Sequence, residues 1–187
     1  MPGTMLFTMI IAFALSISVA VAIGIASLVG AWQADLNFLA VVKEMFGALN
    51  KFPLAAIPFF ILAGNLMESG GISARLVEFA KSIVGGIQGG LAATCVLTCM
   101  IFAAVSGSSV ATTFAIGAIL IPALIKHGYP TNYAAALQAT SAELGVIIPP
   151  SIPMILYGVS AEVSIGELFI AGVGPGLLIG GALMIFV

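Results

Sequence analysis

Pro149, Pro150 and Pro153 crowd into "GVIIPPSIPMILYG", one of the most apolar stretches of the chain. Each proline lacks an N–H and clashes with the carbonyl four residues back. A helix carried through them therefore loses its bonds to Gly145, Val146 and Pro149. Carbonyl oxygens released in this way are ligands for a hard cation such as sodium. A second set of oxygens stands upstream in "SGSS", where Ser106, Ser108 and Ser109 carry hydroxyls and Gly107 permits a tight bend. A helix that resumes after either break, near Ser109 or Ser151, presents a partly positive N-terminus that suits an anionic group. Together these residues could hold a cation beside a carboxylate. Kinked, closely packed helices would account for either break alone. Two breaks fewer than fifty residues apart, both in apolar surroundings, point to one site.

Other polar groups are few. Glu143, two residues before Gly145, could neutralise a cation or act as a protonated coupling acid. Asn65, at the end of the apolar "FFILAGNLM", suits interhelical hydrogen bonding or contact with substrate. Cys95 and Cys99 share a helix face and fit buried packing rather than redox or metal chemistry. His127 is the only histidine and sits beside Lys126 in a polar turn, far from the serines. An intramembrane serine protease would need a base within hydrogen-bond reach, so that reading fails. No set of transition-metal ligands stands out.

The elements that must position these groups follow from composition. The chain has 187 residues, of which 61% are hydrophobic and 6% charged, against about a quarter charged in soluble domains. Its solvent must be lipid, and its net charge of −2 gives no case for nucleic acid. The run from Met5 to Ala31 is longer than a signal-peptide core and predicts a retained transmembrane helix. Residues 32–53 scatter Asp35, Lys43, Glu44 and Lys51 among apolar positions, as in a helix lying in the membrane interface. Residues 53–67 and 72–86 read as an up-and-down pair turning at Gly70–Gly71. The arms at 91–105 and 110–125 are each some 22 Å long as helix, against roughly 30 Å of hydrocarbon. A re-entrant hairpin over 91–125, its tip near mid-membrane, fits that length better than two spans. A helix over 133–160 is broken at "PPSIP", and a last span from near Val163 is still apolar at Val187, as if part of a longer polypeptide. The expected division is scaffold-like helices over 1–84, a transport part over 85–160, and a truncated span over 161–187. In this topology Lys43, Lys51 and Lys126 share one side, with Lys81 close to it, which the positive-inside rule makes cytoplasmic.

The stretches "IPFFILAGNLMESGGI", "FAAVSGSSVATTFAIGAILIPALIKHGY" and "GVIIPPSIPMILYGVSAEVSIGELFIAGVGPGLL" occur in that order. They resemble the large membrane subunit of tripartite ATP-independent periplasmic (TRAP) transporters, over nearly the whole chain but only the first half of such a subunit. The resemblance implies an all-α integral membrane protein working as an elevator-type secondary transporter in a bacterial inner membrane. It implies sodium-coupled import of a small organic acid, a C4-dicarboxylate or another carboxylate, with Na⁺ as coupling ion and no cofactor. A small membrane subunit and a periplasmic substrate-binding protein are the implied partners. The serine-glycine tip and the PPS break carry over as Ser106, Gly107, Ser108, Ser109, Pro149, Pro150 and Ser151. With the carbonyls of Gly145 and Val146, the expected cation set is Ser106, Gly107, Ser108, Gly145, Val146 and Pro149. Ser109, Pro150, Ser151 and Asn65 form the expected substrate set. Relatives often have small or hydroxyl residues near position 143, so Glu143 leaves proton coupling open. An ion channel is the other alternative, since re-entrant loops also build selectivity filters.

Overall fold

The computed structural model describes residues 2–187, and every regular element among them is helical. The chain divides into two compact units at Lys51/Phe52. The first contains α1 (Pro2–Ala14), α2 (Val19–Gln33) and α3 (Phe38–Leu49). The apolar run expected to make one span instead folds back on itself. Ser16 takes a positive φ of 59°, the Ile17 N–H turns back to the Ala12 carbonyl at 3.0 Å, and α2 starts after Ser18. The serines at 16 and 18 supply polar groups for a reversal. Small residues then let the two arms close: Ala12, Ala22, Ala26 and Gly30 are buried. A Cβ on Gly30 would stand 2.7 Å from the Met5 sulfur. The interfacial helix expected over 32–53 narrows to α3, capped by the Asn37 side chain, which accepts from the Leu39 N–H at 2.9 Å. None of its residues is buried.

The second unit opens with a 3-10 turn (Phe52–Ala55) and α4 (Ala56–Ser69), followed by α5 (Ile72–Val84), α6 (Gly90–Ser106) and α7 (Ser109–Lys126). After them come α8 (Thr131–Ala142), the single turn α9 (Leu144–Ile147), α10 (Ile152–Ala161) and α11 (Ile165–Phe186). Helix α6 is the central strut. It is buried at five successive residues, Ala92–Val96, and so on every side over that stretch. Its neighbours in the core are Val77 of α5, Ile116, Leu120 and Leu124 of α7, Leu137 of α8 and Leu144 of α9. Lipid is as apolar as these side chains, so close packing rather than the hydrophobic effect must hold them. The outward surface agrees with a lipid setting: Phe59, Ile170, Ile185 and Phe186 are all exposed.

Three helical segments are long and apolar enough to cross a membrane: Phe52–Ser69, Ser109–Lys126 and Ile165–Phe186. The segment from Thr131 to Ala161 is a fourth if counted as one, bent by 43° at its break. The arms at 91–105 and 110–125 come out longer than expected because the serines join the helices. Ser106 closes α6 and Ser109 opens α7, leaving only Gly107 and Ser108 as the tip. Helix α11 packs on the break through Gly172 and Gly176, and one turn further on Gly180 lies against Met100 of α6. A Cβ on Gly172 would stand 2.7 Å from the Ile147 carbonyl oxygen, and one on Gly176 2.8 Å from the Ile148 side chain.

Candidate functional site

The hairpin tip and the proline break meet. The Ile152 N–H donates to the Gly107 carbonyl at 3.0 Å, so the first residue of α10 is bonded to the bend between α6 and α7. Gly107 has a φ of +62°, and a Cβ there would stand 2.7 Å from the Pro150 carbonyl oxygen. Only glycine meets both demands without strain. On the other side of the break, a Cβ on Gly145 would stand 3.0 Å from the Ser108 carbonyl carbon and 3.0 Å from the Ser109 nitrogen. The tip is therefore seated against residues on both sides of the proline pair, whose peptide bond is cis. The expected cation residues Ser106, Gly107, Ser108 and Gly145 and the expected substrate residues Ser109, Pro150 and Ser151 come together here. Val146 and Pro149 belong to the same break.

Each half-helix begins with a serine cap. Ser108 accepts from the Ala111 N–H at 3.3 Å and starts α7, and Ser151 accepts from the Met154 N–H at 3.5 Å and starts α10. Ser151 is fully buried and its hydroxyl donates to the Val146 carbonyl at 2.6 Å. One of the carbonyls expected to be freed thus has a partner, with its second lone pair left over. Pro153 needs a correction: it lies in the first turn of α10, where its missing N–H costs no intrahelical bond. Pro149 and Pro150 make the break, and Pro153 helps to start the next helix.

A cavity of about 270 Å³ opens between α4 and the hairpin, lined by Asn65, Glu68, Ser106, Ser108 and apolar residues including Phe60 and Phe114. Asn65 is exposed and reaches the neighbourhood of the tip through this cavity. Glu143 caps the end of α8 and is exposed, while Ala142, Leu144 and Gly145 around it are buried. It is not among the residues that line this cavity. His127 is exposed, its Nδ1 2.8 Å from the Ala123 carbonyl. It lies beyond the far end of α7, an 18-residue helix and so about 27 Å from the serines.

Sequence reasoning missed Gln138. It is fully buried, and its amide nitrogen donates to the Thr112 carbonyl at 3.3 Å. Its amide oxygen accepts from the thiols of Cys95 at 3.1 Å and Cys99 at 3.8 Å. The expected cysteine face is thus real, and one glutamine ties it to α7 and α8. Thr112 passes the connection on: its hydroxyl donates to the Ser108 carbonyl at 2.8 Å and lies 3.3 Å from the Ser106 hydroxyl. Among the described residues no group of three or more His, Cys, Asp or Glu could hold a metal ion.

Comparison with known proteins follows the same segments. Residues 4–187 match the family model described as the DctM component of tripartite ATP-independent periplasmic transporters. The chain is 46% identical over 162 residues to the isethionate TRAP transporter permease protein DctMQ of Oleidesulfovibrio alaskensis, covering 87% of this chain and 25% of that protein. It is 48% identical over 144 residues to the C4-dicarboxylate TRAP transporter large permease protein of Pseudomonas aeruginosa, covering 77% of this chain and 34% of that protein. It is 43% identical over 154 residues to the 2,3-diketo-L-gulonate TRAP transporter large permease protein of Escherichia coli, covering 82% and 36%. The chain thus spans between a quarter and just over a third of the length of these relatives.

Proposed function

Since the chain belongs to the family of DctM components of tripartite ATP-independent periplasmic transporters, we propose that it serves sodium-coupled import of a small organic acid across a bacterial inner membrane. It works with a small membrane subunit and a periplasmic substrate-binding protein. The named relatives act on isethionate, C4-dicarboxylates and 2,3-diketo-L-gulonate, all of them anions at neutral pH, and a carboxylate or similar acid is the proposed substrate here. The fused name of the first relative, DctMQ, supports a second membrane subunit as partner. In this reading the α6–α7 hairpin is re-entrant, and it moves with the break as the travelling part of an elevator.

The observation that carries the reading is the bond between the Ile152 N–H and the Gly107 carbonyl. It joins two serine-capped helix starts and two interrupted helix ends at one locus. Helix N-termini attract the acid, and the oxygens of Ser106, Ser108, Gly145, Val146 and Pro149 suit Na⁺. The two ligands need each other. An isolated carboxylate is costly to bury, whereas a cation 4 Å away offsets about 4 kcal/mol at an effective dielectric constant of 20.

The test is uptake of labelled organic acids by the full-length protein with its partners in proteoliposomes. Saturable uptake that needs both an inward sodium gradient and the binding protein is expected. Uptake that follows a proton gradient and ignores sodium overturns the coupling and returns attention to Glu143. Flux that neither saturates nor depends on a gradient indicates a channel instead.

A further inference from the structure

Of the seven hydroxyl residues buried in the second unit, five are paired. Thr94 donates to the Gly90 carbonyl at 2.6 Å, Thr98 to the Thr94 carbonyl at 2.7 Å, and Ser106, Thr112 and Ser151 are engaged as described. Ser141, fully buried, and Ser73, 3% exposed, have no partner. A helical serine normally has a simple remedy, donation to the carbonyl three or four residues back, as Ser27, Ser69 and Ser82 do elsewhere in the chain. A buried unpaired hydroxyl is costly, and in a native protein it calls for a cause, of which a bound ion or water is one.

The position of Ser141 indicates which group it awaits. Three residues before it, Gln138 bonds the Thr112 carbonyl. Four residues after it, the α-carbon of Gly145 lies against Ser108 and Ser109. The backbone between keeps helical angles, with Glu143 at φ −61° and ψ −20° and its N–H 3.3 Å from the Ala139 carbonyl, although the Val146 N–H bonds three residues back, to Glu143 at 3.0 Å, rather than four. Residues 138, 141 and 145 therefore share one face. That face is fixed at both ends against the first turn of α7, residues 108–112, which puts Ser141 opposite this turn. Ser73 lies in the first turn of α5, outside the two breaks.

We propose that the Ser141 hydroxyl oxygen is a further ligand of the coupling cation at the seat of the hairpin tip. This rests on the sodium-coupled reading. It adds a side-chain oxygen from α8 to a site otherwise drawn from the tip and the proline break. A hard cation prefers such an oxygen to a thiol, so the near-isosteric Ser141→Cys separates ligation from packing.

The experiment measures sodium-dependent uptake by full-length protein, with its partners, as Ser141→Ala, Ser141→Cys and Ser73→Ala. Both Ser141 variants should raise the sodium concentration for half-maximal uptake by about tenfold while leaving the rate at saturating sodium within about twofold of wild type. Ser73→Ala should leave sodium dependence as it is. Sodium dependence unchanged in both Ser141 variants overturns the inference and indicates a bound water, and the coupling reading then stands on wild-type uptake. A shift in Ser141→Ala that Ser141→Cys restores also overturns it, since packing alone would then be at work. Wild-type uptake indifferent to sodium removes the coupling reading and this inference together.

Discussion

Helices α7 and α10 start alike and end up with different tasks. Ser108 has φ −139° and ψ 122°, and Ser151 has φ −132° and ψ 128°. Each caps an N–H three residues on. Ser151, however, is fully buried and gives its proton to Val146 across the break. Ser108 is half-buried and lines the cavity beneath α4. One serine binds the two sides of a discontinuity together, and the other faces space a ligand can enter. A helix-capping serine in this chain is therefore not by itself a binding residue. What its hydroxyl does after capping decides the matter.

The contrast can be broken at the shared contact. Gly107→Ala forces a left-handed backbone on alanine and drives its methyl into the Pro150 carbonyl. We expect a loss of about 2–5 kcal/mol in stability and near-complete loss of uptake, measured by thermal unfolding in detergent and by proteoliposome flux. Stability equal to wild type would mean that the tip is not seated on the break. Ser151→Ala should come next, costing about 2–3 kcal/mol because a cap is lost and the Val146 carbonyl is orphaned. Its unfolding temperature should fall before any change in ion dependence is read. The mildest of the three for stability is Ser108→Ala, which costs about 1 kcal/mol of capping yet should raise the sodium or substrate concentration for half-maximal uptake. If Ser108→Ala destabilises more than Ser151→Ala, the two roles assigned here are reversed.

Much of this site was legible because prolines and serines in apolar sequence announce where a helix cannot continue. Pro149–Pro150 and the Ser106–Ser109 tip are of that kind. Pro153 was misread because the same residue breaks a helix from inside and starts one from its first turn, and only the position of the cap tells which. The reversal at Ser16–Ser18 was hidden by an apolar run long enough to span, in which two small hydroxyls look incidental. Gln138 gave no signal at all. A single glutamine in "YAAALQATSA" reads as an exposed polar residue until the cysteine face of α6 and the Thr112 carbonyl are known to surround it.

The glycine stripe of α11 has a consequence for biosynthesis. Its Gly172 backbone covers the Ile147 carbonyl, and Gly176 covers Ile148. Yet α11 follows the break in the chain and leaves the ribosome after it. Until α11 arrives, the interrupted backbone lacks its cover and is poorly suited to hydrocarbon. The segment from α8 to α10 must therefore be inserted provisionally, held by water or by the insertion machinery. The break gains its place in the bilayer only when a helix made later lies down on it.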